Sequence, residues 1–169
     1  KEEFQVIRER DHAIKTPLEV LLYPSFRVMI QYRRAHKLYL KGHYFLARWI
    51  SQRQRERQVL DPPRRTIGKG LFIDHGSGVI IGETTVIGDN VTLYQGVTLG
   101  GNGKETGKRH PTIRDNVMIS AGGKIIGSFT VGGKLQNRRR FRGAGRGSSK
   151  LYVVGIPGRI VRQKNVRVP

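Results

Sequence analysis

The chain of 169 residues has no cysteine, which excludes disulfide bonds, zinc sites built on thiolates and a cysteine nucleophile. It has no apolar run of the roughly 18 residues that a membrane-spanning helix needs, and it does not open on a charged-then-apolar signal. We therefore expect a soluble, cytoplasmic protein. Acidic residues are scarce: 12 Asp and Glu stand against 32 Lys and Arg, and the formal net charge of +20 favours an anionic partner.

Glycine is abundant, with 22 residues, but few of them lie in residues 1–58. Apolar and aromatic side chains recur there at loosely helical spacing, and Pro17 and Pro24 stand where a helix can begin or break. This region is predicted to be α-helical. Gly42 makes two helices as compatible with the pattern as one.

From about Thr66 the sequence changes to glycine-rich repeats with a six-residue period. Two series of apolar positions run through it, two residues apart, so that on a strand both point to the same face. The positions are Ile67, Ile73, Val79, Thr85, Val91, Val97; Ile81, Ile87, Leu93, Leu99; and, after a break, Ile113, Ile119, Ile125 and Val131. Ordinary strands with chance spacing are the alternative. Ten positions in register before the break instead favour a three-sided parallel β-helix, whose coils bury their apolar faces only against one another.

Two features interrupt this period. His75 stands where a six-residue step back from Ile81 predicts an inward apolar side chain, and Gly100–Pro111 leaves the coil and returns. Excursions of this kind often carry function. The residues alone leave two simpler interpretations open, an inert hydrogen-bonded histidine in an imperfect first coil and a flexible surface loop.

Several motifs, in their order and spacing, closely resemble bacterial serine O-acetyltransferases, which are hexapeptide-repeat acyltransferases. They are DHGSGVIIGET, IGDNVTLYQGVTLGG, GK and RHPTI within residues 70–126, and the helical segments IRERDHAIKTPLEVLLYPSF and RRAHKLYLKGHYFLARWIS. The resemblance resumes at residues 153–158. It implies an all-β left-handed parallel β-helix with an α-helical N-terminal arm. We divide the chain into a helical region, residues 1–58, a β-helix catalytic domain, residues 59–158, and a C-terminal tail, residues 159–169.

The resemblance also implies the reaction, in which the acetyl group of acetyl-CoA passes to the hydroxyl of L-serine on the way to cysteine. A serine hydroxyl needs a positioned base as it attacks the thioester, and His75 matches the base of the family. Asp61 is the nearest match to the acid that orients this histidine. Transfer is expected to be direct, without an acyl-enzyme and without a metal.

Serine is a zwitterion, so the implied site needs charges of both signs. Arg109 matches the cation for the carboxylate, which a planar guanidinium can bind at two points. Asp11 and Asp74 match the positions that hold the amino-acid substrate, and His110 lies beside them. The residues that match the coenzyme A site are Gly100, Gly101, Lys104, Ala121 and Gly122.

Some of these residues also have an ordinary structural interpretation. Asp11 can be a helix cap, Arg109 a solvated loop residue, and Asp61 a turn residue ahead of two prolines.

Other functions stay open as well. An acyltransferase of this fold can act on another acceptor, although a neutral sugar needs no charged clamp. A zinc enzyme normally needs three histidines around the metal, and the coils offer His75 and His110. An inactive relic, or a basic protein that binds nucleic acid, would show salt-dependent binding without turnover.

Residues 133–152 depart from the period, which predicts apolar side chains near positions 137 and 143, where Asn137 and Gly143 stand. Adjacent arginines in this segment would be costly in a buried core. One choice of codons, read one base later, gives GENSKIGAGSVVLEEVPPNST over residues 132–152, with isoleucine at 137 and valine at 143. Our hypothesis is that this segment is out of frame between two compensating single-base changes. Sequencing the encoding DNA tests it, and GKLQNRRR encoded in frame by other codons would contradict it.

The hypothesis changes the charge of the protein. The segment contributes seven basic residues and no acidic ones, whereas the shifted version has one Lys and three Glu, a difference of nine that takes the net charge from +20 to +11. A similar slip over residues 61–65 would replace DPPRR by isoleucine, histidine, proline, glycine and alanine. It would leave the chain one residue short between Asp61 and His75.

The resemblance implies a homotrimer with active sites between subunits, or two trimers paired through their helical arms. L-serine and acetyl-CoA are the expected small-molecule partners, whereas a membrane and nucleic acid are not expected. A complex with the next enzyme of the cysteine pathway is a trait of the family that the sequence leaves open.

Overall fold

The N-terminal part of the chain is helical, as its scarcity of glycine predicts. The computed structural model describes residues 2–11, 13–55, 64–103, 106–132, 136–137, 151–154, 159–163 and 166–167. The helices are α1 (Glu2–Arg10), a 3-10 helix (Pro17–Leu22), α2 (Pro24–Leu40) and α3 (Tyr44–Arg55). Pro17 and Pro24 each begin a helix, where the missing N–H costs nothing. Gly42 has a φ of 82° and separates α2 from α3, so the run forms two helices.

Short strands follow the helices, and most contain two residues. They are β1 (Thr66–Ile67), β2 (Phe72–Ile73), β3 (Ile80–Ile81), β4 (Val86–Ile87), β5 (Thr92–Leu93), β6 (Thr98–Gly100), β7 (Thr112–Ile113), β8 (Met118–Ile119), β9 (Lys124–Ile126), β10 (Thr130–Val131) and β11 (Gln136–Asn137).

Successive strands belong to three different sheets in turn, so that every third strand lies in the same sheet. The sheet orders are β1-β4-β7-β10, β2-β5-β8-β11 and β3-β6-β9, and all of these pairings are parallel. Three successive strands therefore complete one turn of a three-sided coil. Ile80 pairs with Thr98, so a regular turn takes 18 residues, or three hexads.

Two turns are longer than three hexads, and both additions fall at corners. Phe72 pairs with Thr92, which makes the first turn two residues longer, and the extra residues lie between β2 and β3. Thr98 pairs with Lys124, which adds eight residues between β6 and β7. The second addition is the predicted excursion.

The predicted rows of inward side chains are confirmed, since all fourteen positions are at most 4% exposed. The step of six from Ile81 makes residue 75 an inward position, and the structure shows that it is not one. Because of the two extra residues, Ile73 pairs with Leu93 and fills the row, whereas His75 lies on the outside of the corner with its side chain 72% exposed.

Helix α2 covers the N-terminal end of the coil. Its side chains Val28, Met29 and Tyr32 join the same buried cluster as Ile67 and the other inward residues. Arg65 is 1% exposed and occupies the inward place two residues before Ile67. Its Nη1 donates to the carbonyl oxygen of Ile81 over 2.7 Å.

The C-terminal strands extend the second sheet. β12 (Leu151–Val154) pairs with β11 in parallel, and β13 (Arg159–Gln163) and β14 (Val166–Arg167) follow in antiparallel order. The predicted tail from residue 159 thus contains strand residues. Most of residues 133–152 lie outside the described residues, but Asn137 pairs with Ile119 in the inward row. Of the helices described, none has both the length and the apolar character needed to cross a membrane.

The core contains one polar side chain whose removal is expected to stabilise the protein. Thr85 is fully buried in the inward row, and its hydroxyl has no hydrogen-bond partner among the described residues. Thr85→Val should raise the free energy of unfolding by about 1 kcal/mol, because a buried unpaired hydroxyl is replaced by a methyl group of the same shape. Denaturant unfolding measures the change.

The matched control introduces a buried, unpaired threonine hydroxyl at another position of the inward row. Val91 is also fully buried in the inward row, so Val91→Thr should lower the free energy of unfolding by about 1–3 kcal/mol. A Thr85→Val protein that is less stable than the parent would contradict this account of the core.

Candidate active site

The predicted site residues lie at two corners of the coil. We call the turn between β2 and β3, with the corresponding turns β5–β6 and β8–β9 stacked on it, the histidine corner. We call the turn between β3 and β4, together with the excursion between β6 and β7, the loop corner. The two corners flank the same sheet, β3-β6-β9.

The histidine corner presents His75 to solvent next to Asp74. The backbone of His75 is left-handed, with a φ of 57°, and Nε2 of His75 lies 3.8 Å from Oδ1 of Asp74. The turns stack closely here, because a Cβ on Gly96 would lie 3.5 Å from the Cα of Gly122, and both glycines have φ near 70°. The result is a flat backbone surface beside an exposed imidazole.

The N-terminal helix brings Asp11 toward this corner. Ile7 of α1 packs in one buried cluster with Val20 and Phe72, and Phe72 belongs to β2, just ahead of Asp74. Arg10 adds a hydrogen bond from Nη1 to the Thr92 hydroxyl over 2.5 Å. Asp11 follows directly after α1, so its position is set by contacts between α1 and the coil.

Tyr23 holds the carboxylate of Asp11. The Tyr23 hydroxyl donates to Oδ2 of Asp11, and the Ala13 backbone N–H donates to Oδ1 over 2.9 Å. The bond to Asp11 raises the pKa of Tyr23 to about 12, with smaller contributions from desolvation and from the charges of Asp11, Glu19 and Asp74.

The loop corner gathers Arg109 and His110 on the turn after β3. Arg109 forms an ion pair with Glu83 through Nη2, and Lys108 donates to the Thr84 carbonyl oxygen over 2.6 Å. His110 is 8% exposed, and the Thr84 hydroxyl lies 2.8 Å from its Nδ1. Burial first, and then the charges of Arg109 and Lys108, lower the pKa of His110 below 6.5.

The residues predicted for coenzyme A divide between the corners. Ala121 and Gly122 lie at the histidine corner, two turns along the coil axis from His75. Gly100 and Gly101 lie at the loop corner, where a Cβ on Gly101 would stand 3.0 Å from the Arg109 carbonyl oxygen. Lys104, like the predicted acid Asp61, lies outside the described residues.

Within one chain, the structure therefore places Asp74 and His75 at one corner, with Asp11 brought toward it by α1, and Arg109 and His110 at the other corner. One face of the coil, about six residues or ~20 Å wide, separates them. The described part of the chain also shows no group of three or more His, Asp or Glu side chains that could hold a metal ion.

Three residues at the site have a role that the sequence interpretation missed. Glu83 and Thr84 lie inside the quoted motif DHGSGVIIGET, and Tyr23 lies inside LLYPSF. The quoted motifs therefore included these residues without assigning them a role. The partners of these side chains are 12 to 26 residues away in sequence. Spacing alone does not show such contacts.

Known proteins resemble the chain over nearly its whole length. The serine acetyltransferase of Bacillus subtilis is 46% identical over 177 residues, which cover 99% of this chain and 78% of that protein. The serine acetyltransferase of Staphylococcus xylosus is 47% identical over 170 residues, with 99% and 79% covered. No model of a protein family matches the chain.

Solved structures agree with these relatives. The serine acetyltransferase of Neisseria gonorrhoeae in complex with serine has a TM-score of 0.90 at 36% identity and covers 95% of this chain. That of Brucella abortus in complex with coenzyme A has a TM-score of 0.90 at 37% identity and covers 94%. The chain spans 66% and 64% of these two solved chains, a little under two thirds of their length.

Three parallel sheets whose strands recur every six residues are the architecture of a protein built on hexapeptide repeats. A solved transferase with hexapeptide repeats, the serine O-acetyltransferase of Brucella melitensis, has a TM-score of 0.88 at 35% identity to this chain. At 46% identity over nearly all of its length, the chain belongs to the serine acetyltransferase family. The predicted resemblance and the acyltransferase class are confirmed, and solved relatives bind the predicted acceptor and coenzyme A.

The contact between Tyr23 and Asp11 can be tested without an activity assay. Asp11→Asn should lower the pKa of Tyr23 from about 12 toward 10, because it removes the hydrogen bond to a carboxylate that stabilises the neutral phenol and, with it, a negative charge that disfavours the tyrosinate. Tyrosinate absorbance after rapid jumps to alkaline pH measures the titration, and Tyr23→Phe identifies the late-titrating group. Glu9→Gln removes a carboxylate from α1 as a control and should leave the titration unchanged. An unchanged Tyr23 in Asp11→Asn would show that the contact does not form.

Proposed function

We propose that this chain acetylates the hydroxyl of L-serine with acetyl-CoA, in cysteine synthesis. The observation that carries the proposal is the exposed His75 beside the carboxylate of Asp74, with a second carboxylate, Asp11, brought toward this corner by α1 although it comes 63 residues earlier in the sequence. Family membership supports the same reaction. A zwitterionic acceptor accounts for two anions near a base, which a neutral sugar would not require.

The charges of the site fit serine in a particular orientation. The ammonium group binds at Asp11 and Asp74, and the carboxylate binds at the Arg109 guanidinium. Arg109 uses Nη2 for Glu83, but a guanidinium has five N–H donors, so donors remain for a carboxylate. The Glu83 ion pair then orients the guanidinium toward its ligand.

His75 acts as the base in this proposal. Its exposed imidazole takes the proton of the serine hydroxyl while the oxygen attacks the thioester carbonyl of acetyl-CoA. The carbon–sulfur bond then breaks, and the imidazolium returns the proton to the departing thiolate. Proton transfer of this kind contributes typically about 10²–10⁴-fold to the rate. Asp61 remains the proposed acid that orients His75.

The two corners belong together only if two copies of the chain meet. We propose a left-handed coil and a homotrimer in which the histidine corner of one chain faces the loop corner of its neighbour. The ~20 Å between the corners of one chain supports this arrangement, because serine cannot bridge them. Coenzyme A then lies between the stacked Gly96 and Gly122 of one chain and Gly100–Gly101 of the next.

The helical arms offer a further contact between trimers. Phe45 is 81% exposed, and Leu40 and Trp49 are also exposed, on α2 and α3. Apolar surface of this kind is commonly buried between subunits. We propose these helices as the contact in a dimer of trimers.

Replacing the base tests the mechanism. His75→Ala should lower the release of coenzyme A from acetyl-CoA and serine by at least about 100-fold. His43→Ala removes an exposed histidine far from both corners and should leave the rate unchanged. The wild-type chain should prefer serine to threonine or a sugar. A His75→Ala variant with the wild-type rate would refute the role of His75.

Mixing two inactive variants tests the shared site. His75→Ala and Arg109→Ala should each be inactive alone, because each lacks one half of every site. After the chains are unfolded and refolded together in equal amounts, about one quarter of the sites in a trimer should contain both wild-type halves. The assay should then recover about one quarter of the wild-type rate. A mixture without activity would place both halves within one chain.

A further inference from the structure

The Thr84 hydroxyl makes three hydrogen-bond contacts, all with Arg109 and His110 near the end of the excursion. Its oxygen accepts the backbone N–H of Arg109 over 3.0 Å and that of His110 over 3.2 Å. The same oxygen lies 2.8 Å from Nδ1 of His110. A hydroxyl has two lone pairs and one proton. Since both lone pairs are taken by N–H groups, the proton must point to Nδ1.

Nδ1 of His110 also faces a second donor. The backbone N–H of Thr84 points to Nδ1 of His110 over 3.2 Å. A backbone N–H can only donate, so Nδ1 must accept and carries no proton. A neutral imidazole with a bare Nδ1 has its proton on Nε2. The tautomer of His110 therefore follows from the donors around it.

The ring is also held by close packing. A Cβ on Gly82 would lie 1.9 Å from Cδ2 of His110, so only glycine leaves room for the ring. Nε2 of His110 has no hydrogen-bond partner within the described part of the chain. None of the described residues uses the proton on Nε2.

The surrounding charges favour the neutral ring. Arg109, Lys108 and Arg65 oppose a positive charge on His110, whereas Glu83 favours one. Burial acts in the same direction as the cations, and together they lower the pKa of His110 below 6.5. The lowered pKa therefore favours the neutral ring, in agreement with the contacts that His110 makes with Thr84.

We propose that Thr84 is a positioning residue that holds His110 as a neutral ring protonated on Nε2, so that His110 donates a hydrogen bond to the acceptor amino acid and does not serve as a base. The hydrogen bond from His110 to the acceptor amino acid rests on the proposed function, whereas the tautomer of the His110 ring does not. It assigns different tasks to the two histidines: His75 moves the proton, and His110 orients the substrate.

The state of the ring can be observed directly by NMR. In the intact protein labelled with 15N-histidine, at neutral pH, the His110 signal should show a bare Nδ1 and a protonated Nε2, with His110→Gln for assignment. Thr84→Ser keeps the hydroxyl and should preserve this spectrum. Thr84→Val removes the hydroxyl but keeps the backbone N–H, so it should shift both nitrogens part of the way toward averaged tautomers. A protonated Nδ1 in the wild-type protein would overturn the proposal whether or not any variant folds.

Steady-state kinetics tests the consequence for the substrate. Thr84→Val should raise KM for serine about tenfold, the effect expected for the loss of one hydrogen bond's orientation, with kcat and KM for acetyl-CoA changed much less. Thr84→Ser should restore KM to near the wild-type value. Thr130→Val serves as the matched control for the loss of a partly buried threonine hydroxyl. A Thr84→Ser variant as impaired as Thr84→Val would show that the hydroxyl is not what matters, which would overturn the proposal.

The two readouts keep this proposal separate from the proposed function. If wild-type protein does not acetylate serine, the proposed function fails, and the NMR experiment still decides the tautomer. If wild-type protein is active and Thr84→Val keeps both the wild-type ring spectrum and the wild-type KM, the inference about Thr84 fails alone.

Discussion

The stacking of an inward side chain from each hexad is the constraint on which the rest of the structure depends. Full burial of one Ile, Leu or Val contributes about 1.5–3 kcal/mol, and a hexad cannot bury its side chain except against the next turn. This requirement keeps each strand in register with the strand one turn away. Any residues beyond three hexads must then lie outside the coil, at a corner. The two additions to the coil form the exposed His75 and the excursion that carries Arg109 and His110.

Contacts between distant segments bring further polar side chains to these corners. Helix α1 docks through Ile7 and Arg10 and delivers Asp11, whose carboxylate Tyr23 then holds. The excursion returns onto Glu83 and Thr84, which orient the guanidinium and the imidazole. Each corner thus combines a turn of the coil with polar side chains from elsewhere in the chain. In the proposed function, the histidine corner supplies the anions for the serine ammonium, and the loop corner supplies the cation for the serine carboxylate.

The sequence predicts the coil well, because its period of six is a direct consequence of inward packing. It predicts the inward rows and the excursion, and it leaves a break between two helices at Gly42 as one of two possibilities. The series that runs through Ile81 makes residue 75 an inward position, because counting by six cannot detect the two extra residues between β2 and β3. The roles of Tyr23 and Thr84 depend on hydrogen bonds to side chains far along the sequence, which a period does not contain. Arg65 is buried in an inward place for which the hypothesised shifted version has alanine, an agreement that supports a slip at residues 61–65.

The central claim is that one serine molecule contacts the histidine corner of one chain and the loop corner of another. A crystal structure of the protein with serine and coenzyme A tests this claim most directly. We expect the serine ammonium between Asp11 and Asp74 of one chain, its hydroxyl at His75, and its carboxylate on Arg109 of the neighbouring chain. Serine bound with both charged ends on a single chain, or bound away from His75, would contradict the account.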